Sequence, residues 1–167
     1  VVRGQNDQDV VELARLTLEH AWQVRFIEMM PFAGVTEFQQ HQVVRAAEMM
    51  ARIQSALGAL MPETEGELDG EARIYRLAHA PGQVGFISSV SLPFCAGCTR
   101  VRLTADGKLR LCLLREDEVD LLTPLRQGAS QEDLRRMAVE AIWNRPWGHG
   151  LAQGQVALNR VMSEIGG

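Results

Sequence analysis

The sequence predicts an α/β chain, and three observations carry that expectation. Through the first 60 residues, apolar runs rich in β-formers alternate with stretches of helical periodicity, the strand–helix–strand–helix rhythm of a parallel sheet. An acidic stretch containing glycine and proline, "MPETEGELDGE" at residues 61–71, then breaks that rhythm. Short extended segments, a hairpin signature and a closing helix follow.

The elements are justified in order. Val1–Val2 read as the stump of a strand ending at Gly4. Asn6 or Asp7 can cap a helix running to about His20, with Val10, Leu13, Ala14, Leu16 and Ala21 at helical spacing. "WQVRFIEMMPF", residues 22–32, is a compact apolar run ended by Pro31 and Gly34, as a buried parallel strand would be. A second long helix is expected from about Gln40 to Leu60, with Val43, Ala47, Met50, Ile53 or Gln54, Leu57 and Leu60 along one side. The crossover between the first two strands should be right-handed. Beyond the acidic loop, "ARIYRLAH" and "GQVGFISSVS" read as short strands, and "VRLTADGKLRLCLL" as a hairpin. Its turn falls at Ala105-Asp106-Gly107, where Gly107 permits a positive φ. Ser130 with Asp133 forms a capping box ahead of "LRRMAVEAIWNR". Pro146 to Gly154 read as irregular, and the chain closes on "NRVMSEIGG".

Composition narrows the function. The 167 residues are 46% hydrophobic and 23% charged, ordinary for a globular domain with a real core. A formal net charge of −4 gives the whole chain no pull on nucleic acid, so any anion site must be a local cluster of arginines. No apolar run reaches the roughly 18 residues of a membrane span. With three cysteines that cannot all pair within one chain, a cytoplasmic, reducing compartment is expected. The chain opens without an initiator Met, as though inside a structural element, so it is expected to be part of a longer protein.

Those three cysteines lie in one stretch, "FCAGCTRVRLTADGKLRLC". The plain reading is three buried thiols, or a redox pair and a spare. It loses ground because Cys95-x-x-Cys98 puts two thiols on a tight turn and the hairpin brings Cys112 back towards them. Zinc would require a fourth ligand, and of His20, His41, His79 and His149 only the distant His149 is a candidate to close the site. A [4Fe–4S] cluster held by three cysteines needs no fourth residue, because one iron is left for a non-protein ligand. Arg100 and Arg102 alternate along the strand leaving Cys98, so two guanidiniums stand beside the thiols as a receptor for a phosphorylated ligand; a merely solvated strand face is the competing view.

The stretch resembles the C-terminal auxiliary cluster motif of the GTP 3′,8-cyclase family, the radical S-adenosylmethionine enzymes that open molybdenum cofactor biosynthesis. "RGQND", "VRFIEMMPF", "GQVGFISSVSLPFC" and the terminal "NRVMSEIGG" resemble other parts of that family in the same order, across essentially the whole chain. The resemblance implies that residues 1–60 are the last strand–helix units of an incomplete (β/α) TIM-type barrel. Residues 61–167 would be the cluster- and GTP-binding region, with a cluster hairpin and a helical extension. Cys95, Cys98 and Cys112 would ligate the second, C-terminal [4Fe–4S] cluster, whose open iron meets the guanine of GTP. Arg100, Val101 and Arg102 would bind GTP, the arginines facing the triphosphate or assisting the radical step. Met30 would touch S-adenosylmethionine, and Gly166–Gly167 would thread towards the active site, where only glycine allows so close an approach. A 5′-deoxyadenosyl radical would take the ribose C3′ hydrogen of GTP, and C3′ would then join C8 of guanine.

Two departures stand out. Thr99 replaces a commoner Asn, and the N-terminal Cys-x-x-x-Cys-x-x-Cys of radical S-adenosylmethionine enzymes is absent. The resemblance therefore implies a C-terminal half, inactive alone. The first cluster and S-adenosylmethionine would belong to the missing N-terminal half, and a homodimer would be the assembly. No nucleic acid or membrane partner is expected. Exposed sheet edges would make the isolated chain marginally stable or prone to associate. The auxiliary-cluster region of another radical enzyme, acting on peptides, and a non-catalytic zinc or redox module remain the alternatives.

Overall fold

The computed structural model describes residues 1–31, 42–63, 67–151 and 159–165. They form two compact units, one of Val1–Met30 with the described residues 42–94, the other of Pro31 with the described residues from Cys95 onward. Helices and sheets are mixed throughout, as the α/β expectation requires.

In the first unit, a 3₁₀ turn at Asp7–Asp9 leads into α1 (Val10–Glu19). Neither Asn6 nor Asp7 caps that helix. Asn6 Oδ1 instead accepts from Val2 N–H at 2.7 Å and Asp7 Oδ1 from Gly4 N–H at 2.6 Å, which closes the preceding turn. The buried face of α1 is Val10, Ala14 and Thr17, while Leu13 is 44% exposed. Thr17 can be buried because its hydroxyl donates back to the Ala14 carbonyl at 2.8 Å. β1 (Gln23–Ile27) follows, and α2 covers Ala46–Leu57, stopped by Gly58 at φ 98°. The expected start near Gln40 falls outside the described residues; residues 42–45 precede the helix, with Arg45 extended. Its apolar stripe is Ala46, Met49 and Ile53, one position earlier than Ala47 and Met50.

The sheet of this unit has the order β1–β4–β3–β2, with β2 at Leu60–Pro62, β3 at Arg73–Leu77 and β4 at Gln83–Ile87. Only β1 and β4 run parallel, from Gln23↔Gln83 to Ile27↔Ile87. β4–β3 and β3–β2 are antiparallel. The sequence rhythm placed a first parallel strand at Val1–Val2, but Val2 makes a single antiparallel bridge to Val43. With one isolated bridge, Val2 has no ladder to either neighbour and joins no sheet. Part of the expected acidic loop is β2, whose Pro62 is tolerated because β2 is an edge. Phe26, Met49, Ile53, Val84 and Phe86 centre the core, with Phe26 and Phe86 rings 5.8 Å apart and Tyr75 edge-on to Phe86 at 5.7 Å.

One buried charge organises this unit. Glu28, directly after β1, has no exposed surface. Oε1 accepts from Ala46 N–H at 2.8 Å and from the Ser91 hydroxyl, and Oε2 from Val90 and Ser91 N–H at 2.9 and 2.8 Å. It ties the start of α2 and the loop after β4 to β1. Read as one position in an apolar run, it gave no sign of this.

The second unit begins with the cysteines and a three-stranded antiparallel sheet, β5 (Arg102–Leu103), β6 (Lys108–Arg110) and β7 (Glu118–Asp120). β5 and β6 pair at Arg102↔Arg110 and Leu103↔Leu109 around a turn where Gly107 has φ 73°. β7 and the short α3 (Leu122–Arg126) were not anticipated. α4 (Gln131–Trp143) starts at the full Ser130–Asp133 capping box. It packs on the sheet through Ala138 and Ala141 against Leu109, Leu111, Val119 and Leu121. This core is small, and an ion-pair network accompanies it. Glu118 Oε1 accepts from the wholly buried Arg110 at 2.8 Å and from Arg160 at 2.6 Å, and Arg160 also reaches Asp106 at 2.8 Å. Asn159 Oδ1 accepts from Arg110 at 3.2 Å. Residues 159–165 are thereby held to the sheet, with Ile165 buried. Among the described residues, no helix is long and apolar enough to cross a membrane.

Candidate cysteine and arginine site

Cys95 opens a 3₁₀ turn, Cys95–Gly97, closed by Cys98 N–H donating to the Cys95 carbonyl at 3.3 Å. This is the tight turn the two-residue spacing requires. Cys112 lies two residues past β6, at the start of a turn in which Arg115 N–H donates to its carbonyl at 3.4 Å. All three thiols are free and half-buried. They lie near enough to sense one another's charge. Burial pushes the Cys95 thiol up from the ordinary range, and the neighbouring Cys112 and Cys98 push it further.

Cys98 is the exception. Burial raises its thiol too, but the Arg145 side chain and both the N–H and side chain of Arg100 donate to it, leaving it below the ordinary range. The geometry accounts for this. One Arg145 terminal nitrogen donates to the Cys98 carbonyl at 3.0 Å and the Arg100 carbonyl at 3.4 Å; the other reaches Cys98 Sγ at 3.4 Å. The hydrogen bond to Cys98 strengthens the guanidinium's hold on its proton, and the negative fields of Cys98, Cys112 and Cys95 add to it. Cys98 Sγ is thus bonded to this cation, while Cys95 and Cys112 interact with it through charge. Arg145 occupies this place because α4 is docked on the sheet through its alanines and ends at Trp143, two residues earlier.

Beside this group is a cavity of about 160 Å³ lined by Cys95, Cys98 and residues Arg145–Gly148. Trp147 is 80% exposed at its rim. Among the described residues, no three or more His, Cys, Asp or Glu side chains are gathered tightly enough to hold a single metal ion as they stand. His149, the zinc candidate, accepts from Leu151 N–H through Nδ1, while its buried Nε2 has no partner among the described residues.

Of the residues expected from sequence, the structure brings Cys95, Cys98, Cys112 and Arg100 together. Arg102 begins β5, half-buried, and Val101 is 37% exposed. Met30 belongs to the other unit, three residues beyond β1 and half-buried. Gly166 and Gly167 lie outside the described residues, as does His41. Sequence reasoning missed Arg145. It stands 47 residues from Cys98 in a stretch read as the end of a helix, with no spacing that relates it to the thiols.

Comparison with known proteins places this geometry in context. Residues 22–151 match the family described as Molybdenum Cofactor Synthesis C. The chain is 42% identical over 166 residues to the GTP 3′,8-cyclase of Desulforamulus reducens, covering 99% of this chain and 51% of that protein. It is 42% identical over 167 residues to the GTP 3′,8-cyclase of Pelotomaculum thermopropionicum, and 43% over 169 residues to that of Heliobacterium modesticaldum, each covering all of this chain and 51% of the relative. The chain thus spans about half the length of the curated relatives it matches.

Proposed function

The chain belongs to the Molybdenum Cofactor Synthesis C family, and from that premise we propose that it is the C-terminal part of a GTP 3′,8-cyclase. In this reading it receives GTP for conversion to (8S)-3′,8-cyclo-7,8-dihydroguanosine 5′-triphosphate in molybdenum cofactor biosynthesis, a radical S-adenosylmethionine reaction of the lyase class. The observation that carries the reading is that Cys95 and Cys98 line one cavity with Arg145, with the Cys112 thiol near enough to act on Cys95 and Arg145 through its charge.

The donor set suits a [4Fe–4S] cluster. A single zinc ion would draw every sulfur to about 2.3 Å from one centre. A cluster instead takes each thiolate on a different iron, so the three thiols need not close on one point. When bound, the cluster supplies an iron without a protein ligand, to which the guanine can bind. The protein's own groups do the rest. Arg100 and Arg102 hold the triphosphate, with Val101 between them against the nucleotide. Met30 contacts S-adenosylmethionine, and Gly166–Gly167 approach the reacting ribose. The first cluster and most of the S-adenosylmethionine site come from an N-terminal half. Residues 1–60 complete its barrel and residues 61–167 carry the cluster and GTP region. The protein acts in the cytoplasm, as a homodimer.

Anaerobic reconstitution tests the reading. About four irons per chain are expected at the three cysteines, with an absorption spectrum that changes on adding GTP. Stoichiometric zinc without iron would sink it. Arg100→Ala and Arg102→Ala should each weaken GTP binding roughly tenfold to 150-fold, the equivalent of about 1.5–3 kcal/mol for a charge-assisted contact. Unchanged affinity in both would remove the arginines from the site.

A further inference from the structure

Among the described residues Arg145 makes three hydrogen bonds and spends none of them on a carboxylate: two go to the carbonyls of Cys98 and Arg100 and one to Cys98 Sγ. A guanidinium this placed, with no carboxylate among these acceptors, leaves its positive charge to the thiols themselves. It also fixes the backbone on both sides of Thr99, the step between the last cysteine of the turn and the first arginine of the strand. The planar fork spans both tasks at once, which a single ammonium cannot do.

We propose that Arg145 is a positioning residue that sets the direction in which the chain leaves Cys98 towards Arg100 and makes the cluster bound there easier to reduce. The proposal rests on the cluster reading above. Hydrogen bonds to a cluster's sulfurs and nearby positive charge both favour the more negative, reduced form, so losing them should drive the reduction potential down. The pull is not shared equally. Cys98 receives the hydrogen bond, while Cys95 and Cys112 sense Arg145 only through its field.

The test uses the full-length protein that carries this chain, reconstituted anaerobically, with the relevant cluster identified as the one whose signal Cys112→Ala removes. Its midpoint potential is measured by spectroelectrochemistry in wild type, Arg145→Gln and Arg145→Lys. Arg145→Gln should shift the midpoint negative by a tenfold or greater change in the reduction equilibrium, about 59 mV for one electron. Arg145→Lys, which keeps the charge without the fork, should shift it in the same direction by less. Should Arg145→Gln fail to load iron, Arg145→Lys is read alone, and a wild-type midpoint there overturns the proposal. Arg145→Gln that loads fully and keeps the wild-type midpoint also overturns it, leaving the cluster reading intact. Wild-type protein that takes up no iron overturns both together.

Discussion

At Glu28 a carboxylate sits where no water reaches, and its four acceptor bonds replace the solvation it lost. Removing it would take the acceptor from the buried Ala46 N–H, the half-buried Val90 N–H and the N–H of the exposed Ser91. Each such loss costs on the order of 1–3 kcal/mol, so Glu28→Ala should cost about 3 kcal/mol or more. Gln would recover only part, since its amide N–H₂ must face donors on one side. Chemical denaturation with circular dichroism checks this, and a loss below about 1 kcal/mol would show that α2 and the β4 loop are held without it. Arg145 poses the same problem for sequence reading. Polar residues at an element's end look alike in one dimension, and their worth depends on which partners the fold brings within 3 Å.

At the scale of elements, the approach of α1 to β4 depends on a glycine with ordinary φ. A Cβ at Gly82 would lie 2.4 Å from the His20 carbonyl oxygen and 2.5 Å from that of Trp22. Both are backbone atoms, and Gly82 N–H itself donates to the Thr17 carbonyl at 3.0 Å. Gly82→Ala must therefore displace the α1–β1 connection from the start of β4. We expect it to destabilise by about 2 kcal/mol or more, within the range for overpacking against unyielding neighbours. A melting temperature unchanged within 1 °C would refute that close approach. The periodicities that marked α1, α2 and α4 were legible because a helix repeats every 3.6 residues whatever surrounds it. Which stripe faces inward was not. Leu13 points out and Thr17 in, because a hydroxyl bonded to its own helix can be buried at little cost.

The whole molecule should be sensitive to acid. Arg160 hydrogen bonds hold Glu118 below its ordinary 4.5, against opposing burial and with help from Arg110. Asp106 is held well below its usual range by Arg160 and Thr104. In the first unit, Arg3 lowers Glu48, and the Gly4 N–H with Arg52 lowers Asp7. Groups depressed on folding stabilise fully above their unfolded pKa, and that contribution is lost as pH falls through the folded value. Melting temperature should therefore be insensitive to these groups from pH 6 to 8 and decline below about pH 4.5. Glu118→Gln should lower stability at neutral pH and flatten part of the acid slope. An acid slope identical to wild type would mean that the Arg110–Glu118–Arg160 network adds nothing to the second unit.

By itself the sequence determined what is local: the tight turn of Cys95 and Cys98, the Asp106-Gly107 reversal, the capping box at Ser130 and the alternation of strands with helices. Each is specified by residues a few positions apart, whose geometry the backbone enforces without help from the rest of the chain. Tertiary structure decided that Val2 pairs with Val43, that β1 runs beside β4, that β7 completes the cysteine sheet, and that Arg145 meets Cys98. Those pairings join residues from 8 to 60 positions apart. Their selection rests on the burial of Phe26 and Phe86 in one unit, and of Leu109 and Ala141 in the other, which no short spacing records.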